Sequence, residues 1–225
     1  MNRKLTAWKK SRKFGDIYGG RTKRRLEDNI FQRAHSLKRP NPGERLPILI
    51  EENPSKHFFF PISAEEANDA LKSLPKRDYT GITHIWLKRI KLSDYEDGLL
   101  PLAEFICGSG VRVIVLYPWP RTMVQNFGQK KPSQRMTNEY SKYHSIVKKV
   151  EGNWQCKWQL THLRKFYIAS LLYHEVGHHI DWYNRHWSKS NSKQLEDYAD
   201  QYAIQKSSTG TYVFNRLEKS QLKKN

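Results

Sequence analysis

Two histidines four residues apart, with a glutamate directly after the first, stand in the stretch LLYHEVGHHIDW, Leu171 to Trp182. In a helix His174 and His178 share one face, so both can present an imidazole nitrogen to one ion at about 2.0–2.1 Å, the length of a zinc–nitrogen bond. Glu175 is rotated away from His174 and reaches a water in the open position of that ion rather than the ion itself. A water acidified in this way is a nucleophile, and the carboxylate beside it is a general base. Gly177 keeps bulk away beside the site. A helix of solvated surface histidines would carry the same letters, so the third ligand decides between the two.

A straight helix carries later residues out of reach, so that ligand has to come from another element. A ligand six residues after His178, reached through a glycine that bends the chain, would require Gly and His where Asp181 and Asn184 stand. His186 is off that register by two and has no glycine to turn the chain toward the metal. The stretch LEDYADQYA offers more. Leu195, Tyr198, Ala199, Tyr202 and Ala203 form the apolar stripe of an amphipathic helix, and Glu196 and Asp200 lie one turn apart on its polar edge. If the stripe packs on the His174 helix, Glu196 completes the ligand set. Asp200 then bonds the non-liganding nitrogen of a bound histidine and fixes its tautomer. The expected site is His174, His178 and Glu196 on Zn2+, with Glu175 as base and Asp200 behind.

HEVGH followed by EDYAD resembles the gluzincin zinc metallopeptidases, with a weaker, architectural similarity to their small soluble ImmA/IrrE-like members. The resemblance spans roughly residues 161–205. It implies a zinc-dependent endopeptidase whose substrate is held as an added strand on a sheet edge above the metal. Residues 82–92 and 111–117 are the candidate edges, and the second is favoured because it leads into a long connection. A Tyr or His that stabilises the oxyanion is implied as well, and His162, Tyr143, His144, Tyr183 and His186 all qualify.

The elements that must position these groups read as a small mixed sheet followed by packed helices, an α+β arrangement. LPILIEE, HFFFP, ITHIWLKRIKL and VRVIVLYP have strand composition. Ser63 and Glu66 stand in capping-box spacing before a short helix that stops at Pro75. From Pro118 to about Glu151 the chain is rich in Pro, Gly, Gln and Lys without a sustained period, which predicts a long loop, functional or mobile. A helix is expected from about Gln159 through Trp182, and a last one from Asn191 or Ser192 to about residue 206.

The net charge is +18, and it is unevenly placed. Residues 1–45 carry fourteen Lys/Arg against four Asp/Glu, and residues 118–165 carry ten against two. This predicts a basic arm over 1–45, a metallopeptidase-like domain over 46–206 and a basic tail over 207–225. Solvated charge explains such an arm, and so does DNA or RNA binding through Arg3, Lys4, Lys9, Lys10, Arg12, Lys13, Arg21, Lys23, Arg24 and Arg25. The competing reading of the whole chain is therefore a nucleic-acid-binding protein whose zinc is structural or idle. No apolar run approaches a membrane span, the amino terminus lacks a secretory h-region, and Cys107 and Cys156 are too few for a disulfide framework. The expectation is a soluble protein of the cytoplasm, or one associated with nucleic acid there, acting on a protein or peptide partner.

Overall fold

The computed structural model describes residues 35–96, 101–184 and 189–222, so the ten basic arm residues between Arg3 and Arg25 lie outside the described residues. The architecture is mixed α+β, with small sheets packed on helices. The main sheet has the order β1 (Ile48–Glu51), β3 (His84–Leu87), β5 (Val111–Leu116), β4 (Ala103–Gly108). The first three strands are parallel, and β4 runs antiparallel to β5. Strands β4 and β5 meet at Ser109–Gly110, both at positive φ, the backbone that lets a two-residue hairpin follow the strand twist.

The runs HIWL and VRVIVL are almost wholly buried, as near-continuous apolar strands covered on both faces must be. Ile85, Leu87, Ile114 and Leu116 face the helical layer. Trp86, Val113, Val115 and Tyr117 face a second cluster with Phe58 and Ile90. This same apolarity corrects the expected docking edge. Residues 111–117 lie between β3 and β4, and residues 84–87 lie between β1 and β5, so neither is an edge. The edges are β1 and β4, both largely half-buried, and the sequence of β4, AEFICG, gives no clean alternation.

Helix α1 (Ala64–Lys72) begins with the expected capping box: Glu66 N–H donates to Ser63 Oγ at 3.1 Å, and Ser63 N–H to Glu66 Oε2 at 3.0 Å. Glu66 also pairs with the buried Arg164 at 2.8 Å, and Arg164 reaches Glu218 at 3.1 Å. One guanidinium thus ties the first helix to the last. A short helix, α2 (Lys76–Tyr79), leads into β3.

The connection after Pro118 is not a loop. It holds β7 (Val124–Gly128), α4 (Gln134–Ser141), β8 (Val147–Val150) and β9 (Asn153–Lys157), the strands forming a second sheet in the order β7-β9-β8. Strand β6 (Trp119–Pro120) pairs with β2 (Phe58–Phe59) before them, and α3 (Leu92–Glu96) precedes β4. These strands are short and carry Lys, Gln and Asn on exposed positions, so their period is too weak to see in one sequence. Tyr140, Tyr143, Cys156 and Trp158 nonetheless join the main core.

A helical rod follows: α5 (Leu160–Phe166), a π-helical turn over Tyr167–Leu172, and α6 (Tyr173–Asn184). A 3₁₀ turn, Lys189–Asn191, leads into α7 (Ser192–Leu222), 31 residues long. The expected boundary at 206 therefore falls inside a helix. Val213, Phe214 and Leu217 are buried in the main core, and Gly210 lies so close to Ala169 that a Cβ there would meet its Cβ at 2.8 Å. The apolar positions beyond Gly210 are sparse and set among polar residues, which is why they read as a tail. The arm boundary shifts as well: His35 is buried with Nε2 3.3 Å from Gly108 O, and Leu37 packs on the second cluster. Among the described residues no helix is long and apolar enough to cross a membrane.

Removing residues 207–225 exposes the partners of three buried side chains, each worth about 1.5–3 kcal/mol, and leaves Arg164 without one carboxylate. Against the roughly 5–15 kcal/mol that holds a domain together, this is a large loss. The truncated chain should melt at least about 10 °C below the full chain in a calorimetric or circular-dichroism scan. An unchanged midpoint would make the segment an appendage.

Candidate metal centre

The pairing of α6 with α7 builds the centre, and small residues make it close. A Cβ at Gly177 would lie 2.7 Å from Ala199 Cα, a separation real side chains do not tolerate. Leu195, Ala199, Tyr202 and Ala203 are buried along this contact, as the apolar stripe predicts. With the stripe seated, the polar edge of α7 faces the histidines. His174 Nε2 is 3.4 Å from Glu196 Oε2, and His178 Nε2 is 3.5 Å from Glu196 Oε1. One ligand atom from each of the three residues falls within 4.8 Å of the others, the only such His/Cys/Asp/Glu group among the described residues. The imidazoles stand nearly perpendicular, 86° apart, with centroids 4.6 Å from one another.

Asp200 takes the place its spacing predicts. His174 Nδ1 lies 2.9 Å from Asp200 Oδ1, which leaves Nε2 as the nitrogen turned toward Glu196 and His178. Asp200 is held in turn by Arg135 of α4. Without a metal, this carboxylate-rich setting stabilises a proton. Burial opposes charge on His174, but its bonds to Asp200 and Glu196 outweigh burial and raise its pKa to about 10. The hydrogen bond from His174 likewise holds Glu196 below the usual carboxylate range. Burial pushes Asp200 up, but its contacts with His174 and Arg135 bring it down overall. A cation on His174 Nε2 has to displace a proton from the ring, so the two compete there.

Glu175 is buried, and desolvation raises its carboxyl to about 8, against the pull of the His174 charge. Its carboxylate accepts the backbone N–H of Phe105 on β4. The register explains why that N–H is free to point there. Tyr117 N–H donates to Leu102 O, so residues 102, 104 and 106 bond across to β5 while 103, 105 and 107 turn their backbone groups outward. Glu104 adds negative charge nearby and accepts from the Tyr117 hydroxyl.

The rejected third ligands are elsewhere. Asp181 is fully buried outside the cluster, Asn184 donates to Ile180 O at 3.2 Å, and His186 lies outside the described residues. Of the oxyanion candidates, Tyr143 bonds Ser170 at 2.5 Å, one turn before His174, and Ser170 donates to Glu139 of α4 at 2.6 Å. His144 and His162 face each other with centroids 4.9 Å apart, and Tyr183 lies under Arg112. Sequence reasoning missed Arg135, Phe105 and Glu104. The first sits in the stretch that reads as a loop. The other two belong to a strand whose contribution here is partly backbone, which leaves no side-chain signature.

Glu196→Ala should release bound metal about as readily as His174→Ala in a chelator titration; metal retained by Glu196→Ala but lost from Asp181→Ala would refute the ligand set. Gly177→Ala tests the helix spacing. Alanine raises helix propensity by about 1 kcal/mol, yet its methyl must push α7 outward. Metal affinity should fall about 10–100-fold, as when a supporting contact of a metal site is lost, with helix content unchanged by circular dichroism. Undiminished affinity would mean that the close contact does not set the site.

Comparison of the chain with protein-family models, with curated proteins and with solved structures finds no match.

Proposed function

We propose that this centre holds zinc and hydrolyses peptide bonds. The observation that carries the reading is Glu175: a buried carboxylate directly beside a His–His–Glu group, hydrogen-bonded to the backbone of a sheet edge. Two imidazoles and one carboxylate suit zinc, and three protein ligands leave a position open, as catalytic sites do. A purely structural site is closed by a fourth protein ligand and has no use for a buried base. Bound there, zinc would supply Lewis acidity, lowering the pKa of water to about 7 and polarising a carbonyl.

The chain's own groups do the rest. Glu175 takes a proton from the attacking water as the C–O bond forms and then delivers it to the amide nitrogen, after which the C–N bond breaks and the amine departs. Asp200 holds the ring of His174 in one orientation, and Arg135 fixes Asp200. The edge strand β4 runs past Glu175, and a peptide laid along it as an added strand brings its backbone to the base.

Purified protein should carry about one zinc per chain. Glu175→Gln should keep the zinc and the fold and lower kcat on a disordered protein such as casein by about 10²–10⁴-fold, the range of general-base contributions. Undiminished turnover would remove Glu175 from the mechanism, and loss of zinc would make it a ligand.

A further inference from the structure

A cavity of about 1030 Å³ opens between the two sheets, walled by Phe58, Leu102, Trp119, Phe127, Met136 and Tyr140 among others. It sits at the carboxyl end of β5, the end of parallel strands where ligands collect, and its size is at the top of the range for ligand pockets. Among the described residues its lining holds no Lys, Arg, Asp or Glu and one histidine, His57, although the chain as a whole carries a net charge of +18. Phosphates and acidic groups gain nothing there. Trp119 keeps its Nε1 buried without a hydrogen-bond partner, a donor suited to a carbonyl.

The cavity is continuous with the elements of the metal centre. Leu102, just before β4, lines it, and three residues later the outward-facing N–H of Phe105 donates to Glu175. Three residues of strand span about 10 Å. Helix α4 divides the two regions: Met136 and Tyr140 face the cavity, while Arg135 and Glu139 bond Asp200 and Ser170. The opposite wall is β7, which pairs only with β9 and so has its other edge turned away from its sheet.

We propose that this cavity is a specificity pocket for a large uncharged side chain, aromatic or long aliphatic, carried by a peptide on β4 about three residues from the bond that is cut. The inference rests on the peptidase reading of the centre. A ring that enters buries about 150–250 Å² against aromatic walls. The pocket lies beyond the residues that flank the cut, so it selects substrates without taking part in the chemistry.

The test uses the full chain, loaded with zinc, and a peptide library randomised on both sides of a fixed core, with cleaved products read by mass spectrometry. Phe, Tyr, Leu or Met should be enriched two to four residues from the cut, with kcat/KM at least about tenfold above the matching alanine peptide. The half-exposed Met136 and the exposed Asn126 allow the cavity to be narrowed from its rim. Met136→Trp and Asn126→Trp should each collapse the aromatic-to-alanine ratio toward one. Binding to Glu175→Gln protein of a peptide with Phe three residues from its central bond, compared by calorimetry with the matching alanine peptide, should weaken in the same variants. Cleavage with no preference at those positions, or a ratio unmoved by both variants, overturns the pocket and leaves the peptidase reading standing. Binding by Glu175→Gln protein that is sensitive to both variants, with no cleavage by the wild type, keeps the pocket and sinks the peptidase reading. Neither cleavage nor binding sinks both.

Discussion

The approach of α6 to α7 at Gly177 and Ala199 is the constraint on which the rest depends. Helix pairs commonly lie about 8–10 Å apart, and the near side of that range needs small residues where the backbones meet. Here one helix supplies glycine and the other alanine, with no room for a further carbon. A carboxylate side chain is short, so Glu196 spans from α7 to both imidazoles only because the helices are this near. Gly210 repeats the arrangement against Ala169 about three turns further along α7, which fixes the angle of the crossing as well as its distance. The length of α7 is thus part of the site, since its distant half holds its near half in place.

Charge follows from that geometry. Two histidines, three carboxylates and an arginine meet where α6, α7 and α4 converge. The carboxylates outweigh burial at His174 and hold positive charge on it, while Glu175, buried more deeply, is driven toward its neutral form. Neighbouring residues of one helix are thus pushed apart, His174 toward its charged form and Glu175 toward its neutral one. This acidic focus is embedded in a strongly basic chain, so the local field at the centre is opposite in sign to the average of the molecule.

The sheet positions the centre relative to anything that approaches it. Because β3 and β5 are apolar enough to need cover on both faces, they occupy the interior, and the edge falls to β4. Its alternating hydrogen-bond pattern turns the Phe105 N–H toward Glu175 and leads back to Leu102 at the mouth of the cavity. The second sheet and α4 close the other side, and the bonds from α4 to Asp200 and Ser170 make that helix part of the support of the candidate site.

How much of this was legible in the sequence depended on whether the information was local. The helical spacing of His174 and His178, the stripe from Leu195 to Ala203 and the capping box at Ser63 are each written within one or two turns, and side-chain periodicity carries them. Glu196 and Asp200 followed because an apolar stripe must find a surface, and the His174 helix was the surface at hand. The edge strand was misjudged because edge or centre is a property of pairing: the residues of β4 show no alternation, and β5 looked continuous for the very reason that made it central. Residues 118–151 and 207–222 were misread because short amphipathic strands, and a helix end with three apolar contacts, acquire their pattern only against the core they cover. The sequence by itself determined the His–His–Glu pattern and the helix that carries Glu175. Only the tertiary structure decided which backbone amide, which arginine and which cavity accompany them, because those arise from distances between segments far apart in the chain.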